Sequence, residues 1–174
     1  HNFDAISLMP TNLYGTGDNY NLESSHVLPA LIRKFYEATI NSEPYVTCWG
    51  SGKPFREFLH VDDLADAILF ALENWDPQSK DAPKDLEGNP LLFLNVGTGI
   101  DISIKELAEL IASEISYEGE IKWDKSKPDG TPKKQLDVKH LSKMGWNAKI
   151  KLREGIRSTI LEFKKAFEEG YLRE

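Results

Sequence analysis

The sequence predicts an α/β protein that is mostly helical, with short strands. Short apolar runs alternate with longer segments whose apolar residues recur at helical spacing, which is typical of α/β architecture. The strand segments are few and brief, whereas an independent doubly wound sheet has more of them. The chain has 174 residues and no internal repeat, which is enough to bury one ordinary core. We therefore expect one domain that resembles the helical half of a larger α/β protein.

The first forty residues predict a strand, a polar loop and a helix. The apolar run 5–9 ends at Pro10, as expected of a strand buried on both faces. The polar stretch 11–25 contains glycines as turn residues. Ser24 or Ser25 can cap the helix that follows. The apolar face of that helix consists of residues at helical spacing, namely Val27, Leu28, Leu31, Ile32 and Phe35.

The middle of the chain predicts two strands and a helix. We expect strands at 45–49 and 56–61, separated by a turn rich in glycine and proline. Asp62 and Asp63 can cap a helix over 64–75, because carboxylates are favourable at the positive end of the helix dipole.

A surface loop divides this region from the next strand. Residues 76–90 are polar and contain three prolines. An apolar strand follows at 91–96. Ser103 and Glu106 then have the spacing of a capping box, which predicts a helix from there to about residue 115.

The C-terminal third predicts a strand, a basic loop and two helices. The strand covers 121–124, and the loop 126–134 is dense in lysine, proline and glycine. Asp137 can cap a brief helix. The last helix covers 152–169 and stops at a glycine.

The composition excludes several classes of protein and site. With 28 acidic and 21 basic residues the net charge is −7, which argues against a nucleic-acid polymer as partner. No apolar run approaches the roughly 20 residues that a membrane span needs. The single cysteine, Cys48, excludes internal disulfides and structural zinc and fits a cytoplasmic protein. Neither a glycine-rich phosphate loop nor a metal-binding motif occurs in the sequence.

Two residues near the first long helix have both a functional and an ordinary interpretation. His26 lies beside the helix start and can donate a proton near neutral pH, or simply flank the helix with a hydrogen bond to backbone. Lys34 lies at the border of the apolar stripe, where it can line a cleft or extend its ammonium to solvent.

Two further features suggest nucleotide binding. Trp49 and Arg56 flank a glycine turn, and an aromatic face with a guanidinium can hold a nucleotide by stacking and phosphate contacts. The alternative is a core tryptophan and a surface arginine. The loop 126–134 has three lysines that can receive phosphate or remain solvated.

Four segments of the sequence carry a resemblance to a known family. They are PTNLYGTGDNYNLESSHVLPALIRKF, WGSGKPFREFLHVDDLADA, LNVGTGIDISIKELAELIA and KPDGTPKKQLDV. Together they resemble the C-terminal part of the GDP-L-fucose synthases, the GDP-4-keto-6-deoxy-D-mannose 3,5-epimerase/4-reductases of the extended short-chain dehydrogenase/reductase family. The FLHVDD and NVGTG patterns are shared by many nucleotide-sugar epimerases and dehydratases, whereas the first and last segments are more specific.

The resemblance implies a domain organisation for the whole chain. Residues 1–174 correspond to a single C-terminal fragment, and the N-terminal Rossmann portion is absent. Residues 1–25 would be the end of the Rossmann core with a cofactor and substrate loop. Residues 26–174 would be the GDP-sugar-binding domain, with a variable surface loop at 76–90. The abrupt opening HNFDAISLMP is then expected to lie within a longer fold.

The resemblance also implies site residues. The segment that contacts the nicotinamide end of NADP corresponds to Pro10, Thr11, Asn12 and Leu13. His26 matches the catalytic acid of epimerisation, which also lies against the cofactor. The positions that bind the GDP-sugar correspond to Lys34, Trp49 and Arg56, with Asp129 and Lys134 as weaker candidates. Lys34 replaces what is often an arginine, so it keeps the charge but loses the planar fork of donors.

The function implied is NADP-dependent synthesis of GDP-L-fucose by 3,5-epimerisation and 4-reduction. NADP(H) would be bound mainly by the absent N-terminal portion, which also carries the Tyr-x-x-x-Lys pair, so the fragment alone is expected to be inactive. A GDP-sugar is the expected ligand, and the full-length protein is expected to be a cytoplasmic homodimer. The alternatives are a fragment of another nucleotide-sugar epimerase or dehydratase, and a non-catalytic module that binds nucleotide sugars.

Overall fold

The structure, a computed structural model, describes residues 4–173 and confirms the predicted α/β class. Its helices are α1 (Val27–Ile40), α2 (Val61–Asn74), α3 (Ile104–Ile115), α4 (Lys139–Met144) and α5 (Leu152–Glu169). Its strands are β1 (Ser7–Pro10), β2 (Asn12–Tyr14), β3 (Tyr45–Trp49), β4 (Phe55–His60), β5 (Phe93–Val96), β6 (Asp101–Ser103), β7 (Glu120–Asp124) and β8 (Lys133–Lys134). None of the helices in this part of the chain combines the length and apolarity needed to cross a membrane.

The strands form three small sheets, and β4 organises the largest of them. Strand β1 pairs with β5 and β3 pairs with β7, both in parallel. Strand β4 pairs with β2 in parallel through its second half. Its first half pairs with β6 on one side, antiparallel, and with β8 on the other, in parallel. Strand β4 therefore connects the segment around residue 12 to the basic loop that contains β8.

Two apolar clusters hold these elements together. The larger one joins α1, α3 and α5, and its fully buried side chains include Phe35, Ile111 and Phe163. Tyr36 packs edge-on against Phe163 with 5.3 Å between ring centroids. The smaller cluster surrounds Leu59, at the end of β4, and includes residues of β5 and α4. Helix α1 is therefore anchored along its length by apolar contacts.

Two of the predicted helix caps are wrong. The N-cap of α1 is His26 rather than Ser24 or Ser25, and its side chain makes no capping bond. The N-cap of α2 is His60, whose Nδ1 accepts from the backbone N–H of Asp62 at 3.3 Å. The carboxylate of Asp63 instead accepts from the backbone N–H groups of residues 149 and 150. In α2, tertiary partners thus occupy a carboxylate that the local pattern predicts as a cap.

Several strand predictions also need correction. Strand β1 begins at Ser7 and is not buried on both faces, since Met9 is 53% exposed and only β5 pairs with it among the described residues. Strand β2 lies within the segment 11–25, which the sequence predicts as a polar loop, and the short strands β6 and β8 have no signal in the sequence pattern. In the predicted brief helix α4 the N-cap is Val138, although Asp137 does accept from the N–H of residue 139.

Other predictions are confirmed by the structure. The capping box of α3 forms in both directions, with Ser103 accepting from the N–H of Glu106 and the Glu106 carboxylate accepting from the N–H of Ser103. Strand β3 and helix α5 begin and end at the predicted residues. The segment 76–90 contains turns and one isolated bridge but neither a helix nor a named strand.

Candidate functional site

Helix α1 and strand β3 bring Lys34 and Trp49 together. Lys34 is half-buried, and its Nζ donates to the carbonyl of Thr47 at 3.2 Å and lies 5.5 Å from the centroid of the Trp49 ring. Alternate side chains of β3 face the core, so Val46 and Cys48 are buried and Trp49 is 62% exposed. The interpretation of Trp49 as a core tryptophan is therefore wrong.

A cavity of about 240 Å³ lies beside this pair. Besides Lys34 and Trp49, its walls include Leu22, Ser25, Ala30, Leu31, Cys48 and Ile104. Burial raises the pKa of the Cys48 thiol to about 11, although the nearby Lys34 ammonium opposes that rise. The thiol is therefore neutral near pH 7. The wall of the cavity is largely apolar, with Lys34 as its cation and Glu23 as its carboxylate.

The second cation at Trp49 comes from the basic loop. The Nζ of Lys127 lies 5.3 Å from the centroid of the Trp49 ring, close to the distance found for Lys34. Ammonium groups at this distance are attracted by the ring and concentrate positive charge around an exposed aromatic face. The sequence identified the loop by its lysine density, but nothing in the pattern singled out Lys127.

Asp129 is held by the turn that follows β3. Its Oδ1 accepts from the backbone N–H of Ser51 and its Oδ2 from the Ser51 hydroxyl, both at 2.6 Å. These bonds, with the hydroxyl contributing most, hold the pKa of the Asp129 carboxyl below its usual value. Gly50 has φ +80°, and a Cβ there would lie 2.4 Å from Oδ1 of Asp129. Asp129 therefore fixes the basic loop beside Trp49.

Arg56 is tied to the same loop farther along. Its Nη1 donates to the carbonyls of Phe55 and Thr131, each at 2.7 Å. In the pairing of β4 with β8, Arg56 lies opposite Lys134, whose side chain is exposed. The structure thus joins Arg56 to the part of the basic loop that contains Lys134, and it joins Asp129 to Ser51, two residues after Trp49.

His26 is exposed at the start of α1. Its carbonyl accepts from the N–H of Ala30 at 3.1 Å, so its backbone begins the helix while its imidazole is not used as a cap. Burial raises the pKa of the Asp18 carboxyl, and a hydrogen bond from the backbone N–H of Asn19 opposes that rise, as do the nearby His26 and Arg173. His26 precedes Lys34 by eight residues, which is roughly 12 Å along a helix.

The segment from Pro10 to Leu13 is held against β4. The hydroxyl of Thr11 and the amide Nδ2 of Asn12 both donate to the carbonyl of Glu57, at 3.2 and 2.7 Å. Leu13 packs against the smaller apolar cluster, and Pro10 is exposed. The polar side chains of this segment thus bind β4, and Pro10 is its exposed residue.

Within the described residues, no metal cluster extends this site, and one further cavity is separate from it. Across residues 4–173, no group of three or more histidine, cysteine or acidic side chains could hold a metal ion. A second cavity, of about 260 Å³, lies between the turn at 97–98 and the segment 146–152, and none of the predicted site residues lines it.

Comparison with known proteins identifies the family. The model of the NAD dependent epimerase/dehydratase family matches residues 1–84. The chain is 49% identical to the probable GDP-L-fucose synthase 1 of Oryza sativa subsp. japonica over 159 residues, which is 91% of this chain and 44% of that protein. This chain belongs to the NAD dependent epimerase/dehydratase family. It spans about half the length of the curated relatives it matches.

Solved structures of similar proteins agree with this placement. A GDP-6-OMe-4-keto-L-xylo-heptose reductase from C. jejuni matches with a TM-score of 0.80 and 34% identity. The match covers 92% of this chain and 53% of the reductase. A GDP-L-fucose synthetase from Naegleria fowleri bound to NADP matches 94% with a TM-score of 0.79 and 29% identity, covering 47% of that chain.

Proposed function

We propose that this chain supplies the GDP-sugar-binding part of an NADP-dependent GDP-L-fucose synthase. The observation that carries the proposal is the convergence of Lys34 and Lys127 on the exposed ring of Trp49, beside an apolar-walled cavity. An exposed aromatic face surrounded by cations suits a nucleoside diphosphate, which offers both a flat ring and negative charge. The similarity to GDP-L-fucose synthases over most of the chain supports the choice of GDP-sugar.

The proposed binding mode assigns a role to each candidate residue. The base stacks on Trp49, and the diphosphate lies within reach of Lys34, Lys127 and Arg56. Lysine at position 34 acts as a compact charge on a flexible stem, so it contributes attraction without a bidentate geometry. Asp129 keeps the basic loop in place through Ser51. Lys134, exposed at the C-terminal end of the loop, supplies a further cation for the diphosphate.

The proposed chemistry places His26 as the proton donor of epimerisation. An imidazole exposed at a helix start is free to return a proton to C3 and C5 after a base has removed the acidic protons beside the 4-keto group. NADPH, when bound, would supply the hydride for reduction at C4. The residues present fit only a peripheral contact with that cofactor, at the exposed Pro10, because the side chains of Thr11 and Asn12 bind β4. The proposal also places the full-length protein in the cytoplasm as a homodimer.

A second candidate is reduction of a different 4-keto GDP-sugar. The C. jejuni structure is named for such an activity on a heptose, and it is 34% identical to this chain. Both candidates require GDP recognition at Trp49. They differ in the sugar, whose contacts involve His26 and residues outside this chain.

Titration of the chain with GDP, followed by tryptophan fluorescence or calorimetry, tests the shared step. We expect GDP and GDP-mannose to bind, and UDP to bind more weakly. Trp49→Leu should weaken GDP binding by about 5- to 150-fold, since stacking of a base on an aromatic ring contributes roughly 1–3 kcal/mol. Tyr171→Leu is the matched control, because Tyr171 is an aromatic residue of similar exposure, 56% against 62%. Preference for UDP would indicate another nucleotide-sugar enzyme, and absence of nucleotide binding would contradict the proposal.

A further inference from the structure

A buried carboxylate outside the predicted site connects the segments that build it. Glu57 lies on β4 next to Arg56, and its side chain is fully buried, with 0% exposed. Its Oε1 accepts from the backbone N–H groups of Thr98 and Gly99 at 2.6 and 2.8 Å. Its Oε2 accepts from the backbone N–H of Leu136 at 2.8 Å. One side chain thus bridges the turn after β5 and the segment that ends the basic loop.

The space around this carboxylate is closely filled. A Cβ at position 97 would lie 2.2 Å from Oε1 of Glu57, so the glycine allows the turn to approach the carboxylate. A second bond joins the same two segments, because Nε2 of Gln135 donates to the carbonyl of Gly99 at 2.6 Å. The backbone of Glu57 also participates, since its carbonyl accepts from Thr11 and Asn12.

The bridge bears directly on the basic loop. Leu136 follows β8 by two residues, and β8 pairs with the first two residues of β4. The N–H of Phe55 donates to the carbonyl of Pro132 at 2.8 Å, and Arg56 donates to the carbonyl of Thr131. The side chain of Glu57 therefore holds the C-terminal end of a loop whose other members stand beside Trp49 and Ser51.

We infer that Glu57 is a positioning residue that fixes the basic loop, and with it Lys127 and the Thr131 carbonyl that holds Arg56, for the diphosphate of the ligand. The consequence for binding rests on the function proposed above. Glu57 does not touch the ligand. It acts through the loop, because a loop that is free to move would have to be ordered on binding, and ordering costs affinity.

Glutamine at this position cannot replace the bridge. A carboxylate offers two acceptors, whereas an amide offers one acceptor and one NH₂ donor. In either orientation of Glu57→Gln, the NH₂ group faces a backbone N–H, at the turn after β5 or at Leu136. The variant should therefore release one of the two segments while keeping nearly the same volume.

The test compares Glu57→Gln with Asp63→Asn by amide hydrogen exchange of the 174-residue chain. Asp63 is also buried, at 2% exposed, and its carboxylate also accepts from two backbone N–H groups, those of Lys149 and Ile150, away from the basic loop. The decisive amide is that of Phe55, because its acceptor, Pro132, is not altered by either substitution. We expect exchange at Phe55 to accelerate about tenfold or more in Glu57→Gln and to stay unchanged in Asp63→Asn.

GDP titration of the same variants gives the second readout. We expect about tenfold weaker binding for Glu57→Gln and wild-type affinity for Asp63→Asn. If Glu57→Gln does not fold, Glu57→Asp is measured instead, since it keeps the charge but is too short to reach both segments. Unchanged exchange at Phe55, or equal acceleration in both variants, would overturn the inference. Failure of the wild-type chain to bind GDP would contradict the proposed function, while the exchange at Phe55 would still decide the role of Glu57.

Discussion

The two sides of the candidate site are held in place by different forces. Lys34 and Trp49 stand on a helix and a strand that pack on the larger apolar cluster, where Phe35, beside Lys34, is fully buried. The basic loop has no comparable apolar anchor, and polar bonds to Ser51, Arg56 and Glu57 hold it. Packing is distributed over many contacts, whereas a few directional bonds can each be removed by a single substitution.

This difference assigns a separate role to each side. Helix α1 and strand β3 hold the exposed ring of Trp49 in a fixed position. The loop adds the positive charge of Lys127 beside the Trp49 ring. Substitution of a residue that bonds the loop can detach it from the rest of the site. Substitutions in the core should therefore act on global stability, and substitutions at the loop attachments should act on the local geometry.

The largest effect, on the free energy of unfolding, should follow from a cavity made in the apolar cluster beneath Lys34 and Trp49. Phe35→Ala removes a fully buried ring that packs against Tyr117 with 5.4 Å between centroids. We expect a loss of about 3–5 kcal/mol in the free energy of unfolding, measured by urea denaturation. Leu161→Ala, on the exposed face of α5, is the control and should change stability by less than about 0.5 kcal/mol. A loss below about 1 kcal/mol for Phe35→Ala would show that packing does not fix this side.

An intermediate effect is expected at the turn that joins the two sides. Gly50→Ala puts a side chain at a left-handed residue and into the Asp129 carboxylate, whereas Gly88→Ala has a similar φ of +87° with nothing within 4 Å. The conformational cost alone is about 1–2 kcal/mol in both variants. Gly50→Ala should lose more stability than Gly88→Ala in thermal or urea unfolding and should also weaken GDP binding. Equal losses in the two variants would mean that Asp129 moves aside freely.

The smallest effect concerns a single loop attachment. Ser51→Ala removes the hydroxyl that lowers the pKa of Asp129 most, so this pKa should rise towards its usual value. Because the folded-state pKa is depressed, the stabilising contribution is present above the unfolded pKa and is lost as pH falls through the folded pKa. An NMR titration of the carboxyl carbon measures the shift. Ser126→Ala removes an equivalent bond to Asp124 and should leave Asp129 unchanged, and a wild-type titration of Asp129 in Ser51→Ala would contradict the assignment.

The packed side was predictable because its signals are local. The apolar residues of α1 recur at helical spacing, and the alternation along 45–49 gives β3 its correct bounds. The exposure of Trp49 follows from its place in that alternation, one residue after the buried Cys48. The family resemblance added the candidate roles of His26, Lys34 and Arg56, and those roles remain predictions.

The attachments of the loop were not predictable, because the partners are far apart in the chain. Glu57 and Leu136 are 79 residues apart, and Ser51 and Asp129 are 78 residues apart. The predicted cap of α2 failed for a related reason, because backbone N–H groups 86 and 87 residues away use the Asp63 carboxylate.

The sequence by itself determined the α/β class, most of the helices and the placement of an aromatic residue and cations on neighbouring elements. Periodicity and capping are properties of a few consecutive residues, so they can be found without the fold. Only the tertiary structure decided which lysines reach Trp49, which carboxylates hold the basic loop and that β1 lies exposed at the surface. Those outcomes depend on groups that meet only after the chain has folded, since a hydrogen bond requires partners within about 3 Å whatever their separation in sequence.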